Sequence, residues 1–160
     1  MAVAGGAGAM KRQPIREHRH VEVTLPVSAF IPPDYVPDGR PKIEMYRKLS
    51  SVGSLEDWAQ LKDEFRDRFG PLPDPVEKLF QIRELQLLAM RWQIHDIHLE
   101  PGYVIFGYRN AKLIAKLSRM ILTPLRVMDT EEACLVLPPN LKGTKALLRL
   151  IKETLQSSPT

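Results

Sequence analysis

Between Ser54 and Pro71 the sequence spells out a helix with both ends marked. Ser54 is a good N-cap, because a short hydroxyl side chain accepts a hydrogen bond from an amide of the first turn that has no partner within the helix. Glu56 and Asp57 follow at the positive end of the helix dipole. Leu55, Trp58, Leu61, Phe65 and Phe69 recur at spacings of three and four, which puts them on one apolar face. Gly70 suits a positive-φ C-terminal cap, and Pro71 prevents continuation. The predicted helix covers about 55–69, and its apolar face must be buried against other elements.

Its neighbours are helical too. Pro41 fits a first helical turn, and Ile43, Tyr46 and Leu49 predict one apolar face on a helix over about 41–49. Downstream, Asp74 reads as a cap, Pro75 as the first helical residue and Glu77 as the partner of a capping box. That helix, over about 75–92, is apolar on more than one side and is the expected central core helix. Upstream, Val21, Val23 and Leu25 alternate with polar residues, while Pro26, Pro32, Pro33 and Pro37 keep residues 21–40 extended. No antiparallel partner for this first strand lies nearby, so it is expected to pair outside the chain. Residues 1–20 run from a Gly/Ala-rich stretch into a polar one and read as a disordered linker or tail. Their basic residues follow the small-residue stretch, which is not the order of a signal peptide.

The second half changes period. Ile94, Ile97 and Leu99 suggest a short strand, Pro101-Gly102 a turn, and Tyr103–Phe106 the returning strand of a hairpin. A helix is expected over about 111–120, strands over 125–129 and 133–137, and a last helix over 141–155 with Leu147, Leu148, Leu150 and Ile151 inside. The fold class is α+β: an N-terminal extended strap and three-helix half followed by a β-β-α-β-β-α half. The organisation read from this is 1–20 tail, 21–40 strap and 41–157 one domain.

Composition removes several functions. The 23 Lys+Arg and 19 Asp+Glu give a net charge of +4. The signs are interleaved, with 9 of each over residues 41–92 and a mild excess of 9 over 6 in 93–160. No basic arm for non-specific nucleic-acid binding is present. The apolar stretches fall short of the roughly 20 residues that span a bilayer. One cysteine, Cys134, excludes an internal disulfide and any multi-cysteine zinc site, and suits a cytoplasmic setting. No phosphate-binding loop of the G-x-x-x-x-G-K-[ST] type occurs, since Gly5-Gly6-Ala7-Gly8 before Lys11 has the wrong spacing. Nor does a G-x-S-x-G elbow occur. His95 and His98, three apart on a regular strand, are expected on opposite faces and so unable to share a metal. His18 and His20 fall in the tail region. No catalytic, metal-binding or cofactor-binding residue is expected, and this chain alone does not read as an enzyme.

The informative stretch is Glu64 through Pro73. Glu64, Asp67 and Arg68 share one helix face at i, i+3 and i+4, beside the core edge made by Phe65 and Phe69. Two readings stand: an intrahelical Glu64–Arg68 pair, or a charged docking patch held rigid by the capped helix end.

Three segments in order resemble one family. They are Ala29-Phe30-Ile31-Pro32-Pro33-Asp34-Tyr35-Val36, then Arg40 through Leu49, then Glu64 through Pro73. Together they are similar to the C-terminal (TRCF) domain of the bacterial transcription-repair coupling factor, Mfd, specifically over about 21–88 and loosely beyond. Phe30 stands where the family usually has Tyr.

The resemblance implies a part of a large ATP-dependent DNA translocase that displaces stalled RNA polymerase and recruits the damage-recognition protein UvrA in nucleotide excision repair. In that family this domain is not the motor. It packs against the UvrA-binding module and hides that surface, an autoinhibitory role. Carried over by motif, Glu64, Asp67 and Arg68 become the partner-docking residues. ATP belongs to the parent translocase, not to these residues. The partners implied are the UvrA-binding module directly, and UvrA, RNA polymerase and DNA indirectly, with no membrane and a cytoplasmic location. The alternative is a standalone accessory module that binds nucleic acid or polymerase, supported by the positive excess in residues 93–160.

Overall fold

A computed structural model describes residues 20–159. The tail reading of residues 1–19, with His18, lies outside the described residues. The chain is α+β, and the described residues form five helices and one five-stranded sheet. The described residues divide into two compact units: a helical one from Leu25–Leu88 and Asn140–Gln156, and a sheet unit from residues 20–24, Ala89–Pro139 and 157–159.

The helical unit holds α1 (Arg40–Ser51), α2 (Leu55–Phe69), α3 (Asp74–Arg91, up to Leu88) and α5 (Gly143–Leu155). α2 has the bounds its sequence marks. The Ser54 hydroxyl accepts from the Asp57 amide at 3.1 Å, and Gly70, at φ 95°, donates its amide to the Arg66 carbonyl at 2.9 Å. Phe65 and Phe80 are fully buried and meet edge to face at 4.9 Å, while Trp58 donates its indole N–H to the Phe80 carbonyl at 2.8 Å. Burying an aromatic of this size contributes about 2–3 kcal/mol. On α5, Leu147, Leu148, Ile151 and Leu155 are buried and Leu150 is only half-buried.

Two expectations for this unit change. α1 turns Met45 and Leu49 inward, followed by Val52, whereas Ile43 is 56% exposed. Spacings of four and three serve the buried stripe as well as the expected 43–46–49 set does, so periodicity alone does not choose between them. The capping box on α3 does not form. Asp74 is itself helical and pairs with Lys78 at 3.1 Å, Glu77 pairs with Lys62 at 3.0 Å, and the Pro73 carbonyl accepts the first helical amides. A lysine on the neighbouring helix outcompetes the local cap.

The sheet unit holds β1 (Glu22–Thr24), β2 (Ile94–Glu100), β3 (Tyr103–Tyr108), α4 (Ala111–Met120), β4 (Leu125–Val127) and β5 (Glu132–Val136). The strand order is β1-β2-β3-β5-β4. β1 runs parallel to β2, with Val23 opposite Ile97; the other pairs are antiparallel. The strand expected to pair outside the chain therefore finds its partner within it, some seventy residues on. A parallel partner needs a long crossover, which a search among near neighbours misses.

An irregularity between Ile94 and Asp96 inserts His95 as an extra residue. Ile94, Ile97 and Leu99, spaced three and then two apart, thereby fall opposite Tyr108, Phe106 and Val104 on one face. Asn110 caps α4, accepting from the amides of Lys112 and Leu113. Trp92 is fully buried and donates its indole N–H to the Ser157 carbonyl at 2.9 Å.

Candidate functional site

The family-like segments meet at the C-terminal end of α2. The strap runs extended because of its prolines and is tied down at three points. The Phe30 amide donates to the Pro75 carbonyl at 3.2 Å, the Ile31 amide to the Tyr46 hydroxyl at 2.9 Å, and the Tyr35 hydroxyl to the Gly70 carbonyl at 2.8 Å. The Phe65 carbonyl lies 3.3 Å from the same hydroxyl. Tyr35 thus gives a donor to the Gly70 carbonyl, which lies past the last turn and has no partner within the helix. Burial holds the Tyr35 phenol above its ordinary pKa, so it stays a donor. Its ring packs against Phe69 at 5.7 Å, and Ile31 and Val36 are buried on either side.

On this supported end stand the three charged residues. Glu64 Oε2 accepts from Lys48 Nζ of α1 at 2.6 Å and from Arg68 Nη1 at 3.1 Å. Arg68 also lies 3.6 Å from Glu44 Oε1, and its guanidinium sits 5.0 Å over the Phe69 ring. The Lys48 hydrogen bond, the largest influence, holds the Glu64 carboxyl below its ordinary pKa; burial opposes it, and the Arg68 hydrogen bond adds to the lowering. The intrahelical Glu64–Arg68 pair is therefore present, but within a row of four alternating charges, Glu44, Arg68, Glu64 and Lys48, that joins α1 to α2. Asp67 is exposed, and among the described residues its side chain has no ion pair or hydrogen bond. A groove of about 530 Å³ between α1 and α2 is lined in part by Glu44, Lys48, Val52, Leu61 and Glu64.

Lys48 and Glu44 escape a reading based on helical spacing, because they belong to the neighbouring helix. The available signal was their position inside the Arg40–Leu49 segment that already carries the resemblance.

In the sheet unit, Asp96, His98 and Glu100 alternate on one face of β2. His98 Nδ1 lies 2.6 Å from Asp96 Oδ2, and Nε2 3.2 Å from Glu100 Oε2. The Asp96 hydrogen bond, ahead of Glu100, raises the His98 pKa. The inserted His95 does not take the opposite face from His98. A Cβ added at Gly107 would meet His95 Cε1 at 2.9 Å and Asp96 Cβ at 3.1 Å, so the imidazole lies over Gly107 on the Asp96 side. Among the described residues no group of three or more His, Cys, Asp or Glu is arranged to hold a metal ion. Cys134 is buried in β5. Among the described residues, no helix is long and apolar enough to cross a membrane.

Comparison with known proteins agrees with these segments. Residues 25–117 match the TRCF domain family. The transcription-repair-coupling factor of Bacillus subtilis is 37% identical over 88 residues, which cover 55% of this chain and 8% of that protein. That of Mycobacterium bovis is 38% identical over 81 residues, 51% of this chain and 7% of that protein. That of Rickettsia prowazekii is 33% identical over 100 residues, 62% and 9% respectively. The chain thus spans less than a tenth of the length of these relatives. A crystal structure of the C-terminal domain of transcription-repair coupling factor shares the fold with a TM-score of 0.68 at 18% identity, covering 85% of this chain and 92% of that one. The chain belongs to the TRCF domain family of the transcription-repair coupling factors.

Proposed function

We propose that this domain is a regulatory docking module, which masks the UvrA-binding module of a transcription-repair coupling factor through the face carrying Glu64, Asp67 and Arg68. One observation supports the reading above others. The charged trio stands on a helix end that the strap holds through Tyr35, so a weak polar contact meets a pre-organised surface. Exposed, complementary charges give specificity without high affinity, which suits a contact that must open. The translocase activity, its ATP, and its dealings with RNA polymerase, UvrA and DNA belong in this reading to the rest of the parent protein.

The test is charge reversal. Glu64→Lys with Asp67→Lys is expected to weaken binding to a purified UvrA-binding module at least tenfold, while the circular dichroism spectrum stays that of the parent chain. Unchanged affinity in the folded double variant would reject the assigned face.

A further inference from the structure

We propose that Lys48 sets the affinity of this docking face by competing for Glu64: its ammonium occupies the carboxylate that an incoming cationic group must take, and docking proceeds by exchange of one cation for another. The inference rests on the docking reading above and adds its regulation.

Lys48 lies on α1, sixteen residues before Glu64, and reaches it across the boundary between the two helices at 2.6 Å. Arg68 binds the same oxygen at 3.1 Å and lies 3.6 Å from Glu44. Two carboxylates and two cations alternate in this row, so its charge sums to zero. A cationic partner approaching the trio therefore meets Asp67 as its carboxylate without an ion pair, and finds Glu64 already shared between Lys48 and Arg68 through Oε2, so it gains the undivided charge of Glu64 by displacing Lys48.

Displacement is feasible because the pair is not sealed. The Lys48 and Glu64 side chains are 40% and 35% exposed, so water screens their attraction and can solvate the released ammonium. Arg68 is the less suitable leaving group. It is held to Glu64 along its own helix, lies near Glu44, and rests on the Phe69 ring, whereas Lys48 holds Glu64 as a point charge on a flexible stem. An arrangement of this kind lowers affinity without removing specificity.

The experiment is calorimetric titration of the full chain with a purified UvrA-binding module. Lys48→Met is expected to bind about two- to fivefold more tightly than the parent, the range into which an exposed ion pair converts. Lys48→Gln, which keeps a polar stem without the charge, is expected to do the same. In a Glu64→Gln background neither substitution should add anything. Lys62→Met makes the same change in net charge but removes a lysine paired with Glu77 instead, and is expected to leave affinity unchanged. Equal or weaker binding by both Lys48 variants overturns the proposal. So does a gain that persists without the Glu64 carboxylate, or an equal gain from Lys62→Met. Absence of binding by the parent chain and every variant overturns the docking reading together with it. Parent binding with unmoved Lys48 variants overturns the competition alone.

Discussion

The Tyr35 hydroxyl donates to the Gly70 carbonyl at 2.8 Å, joining the strap to the end of the helix that carries the charged trio. Tyr35→Phe keeps the ring on Phe69 but leaves the Gly70 carbonyl without this donor. The expected loss is about 1–2 kcal/mol of unfolding free energy, the size associated with an unmade hydrogen bond at a partly buried group. Urea denaturation measures it, and an unchanged midpoint would contradict the bond.

A side chain at Gly107 would crowd the His95 imidazole and the Asp96 Cβ. A methyl group there would stand 2.9 Å from the imidazole, closer than carbon atoms approach. Gly107→Ala is expected to destabilise the chain by about 1–3 kcal/mol, as overpacking does. His95→Ala should recover part of that loss in the double variant, the Asp96 Cβ contact at 3.1 Å remaining, and thermal unfolding of the three variants forms the cycle. Additive losses would contradict the contact.

Glu64 and His98 are expected to affect stability in opposite pH ranges. The folded-state pKa of Glu64 is depressed, chiefly by Lys48, so its contribution is present above the unfolded carboxylate pKa and is lost as pH falls through the folded value. Lys48→Met should move the Glu64 carboxyl midpoint upward when followed by carbon-detected NMR titration. A stationary midpoint would contradict the pairing.

The folded-state pKa of His98 is raised, chiefly by Asp96. Its contribution is complete below the unfolded histidine value and is lost as pH rises through the folded one. The protonated ring sits between two carboxylates, those of Asp96 and Glu100, while Glu22 and Thr24 of β1 lie in register with Asp96 and His98. Asp96→Asn should lower the imidazole midpoint in a proton–nitrogen titration, and a midpoint that stays or rises would contradict the assignment.

Local punctuation made the helices legible. Ser54 and Gly70 bound α2, because caps act within one turn of the residue that supplies them. The hairpin of β2 and β3 was readable from Pro101-Gly102, where Gly102 has φ 83°. Features that depend on distant chain were not readable in this way. The parallel partner of β1, the insertion of His95 and the capture of Glu77 by Lys62 each arise from a neighbour far away in sequence. The candidate site divides along the same line. Glu64, Asp67 and Arg68 share a helix and so a visible spacing, whereas Lys48 and Glu44 join them only after α1 packs beside α2.

Amide chemical-shift mapping on the labelled chain, titrated with a purified UvrA-binding module, tests the docking face most directly. The expected perturbations centre on residues 64–70 of α2 and its cap, with a second group at 44–48 of α1. Perturbations confined to α5 or to the sheet unit, or none at saturating module, would contradict it.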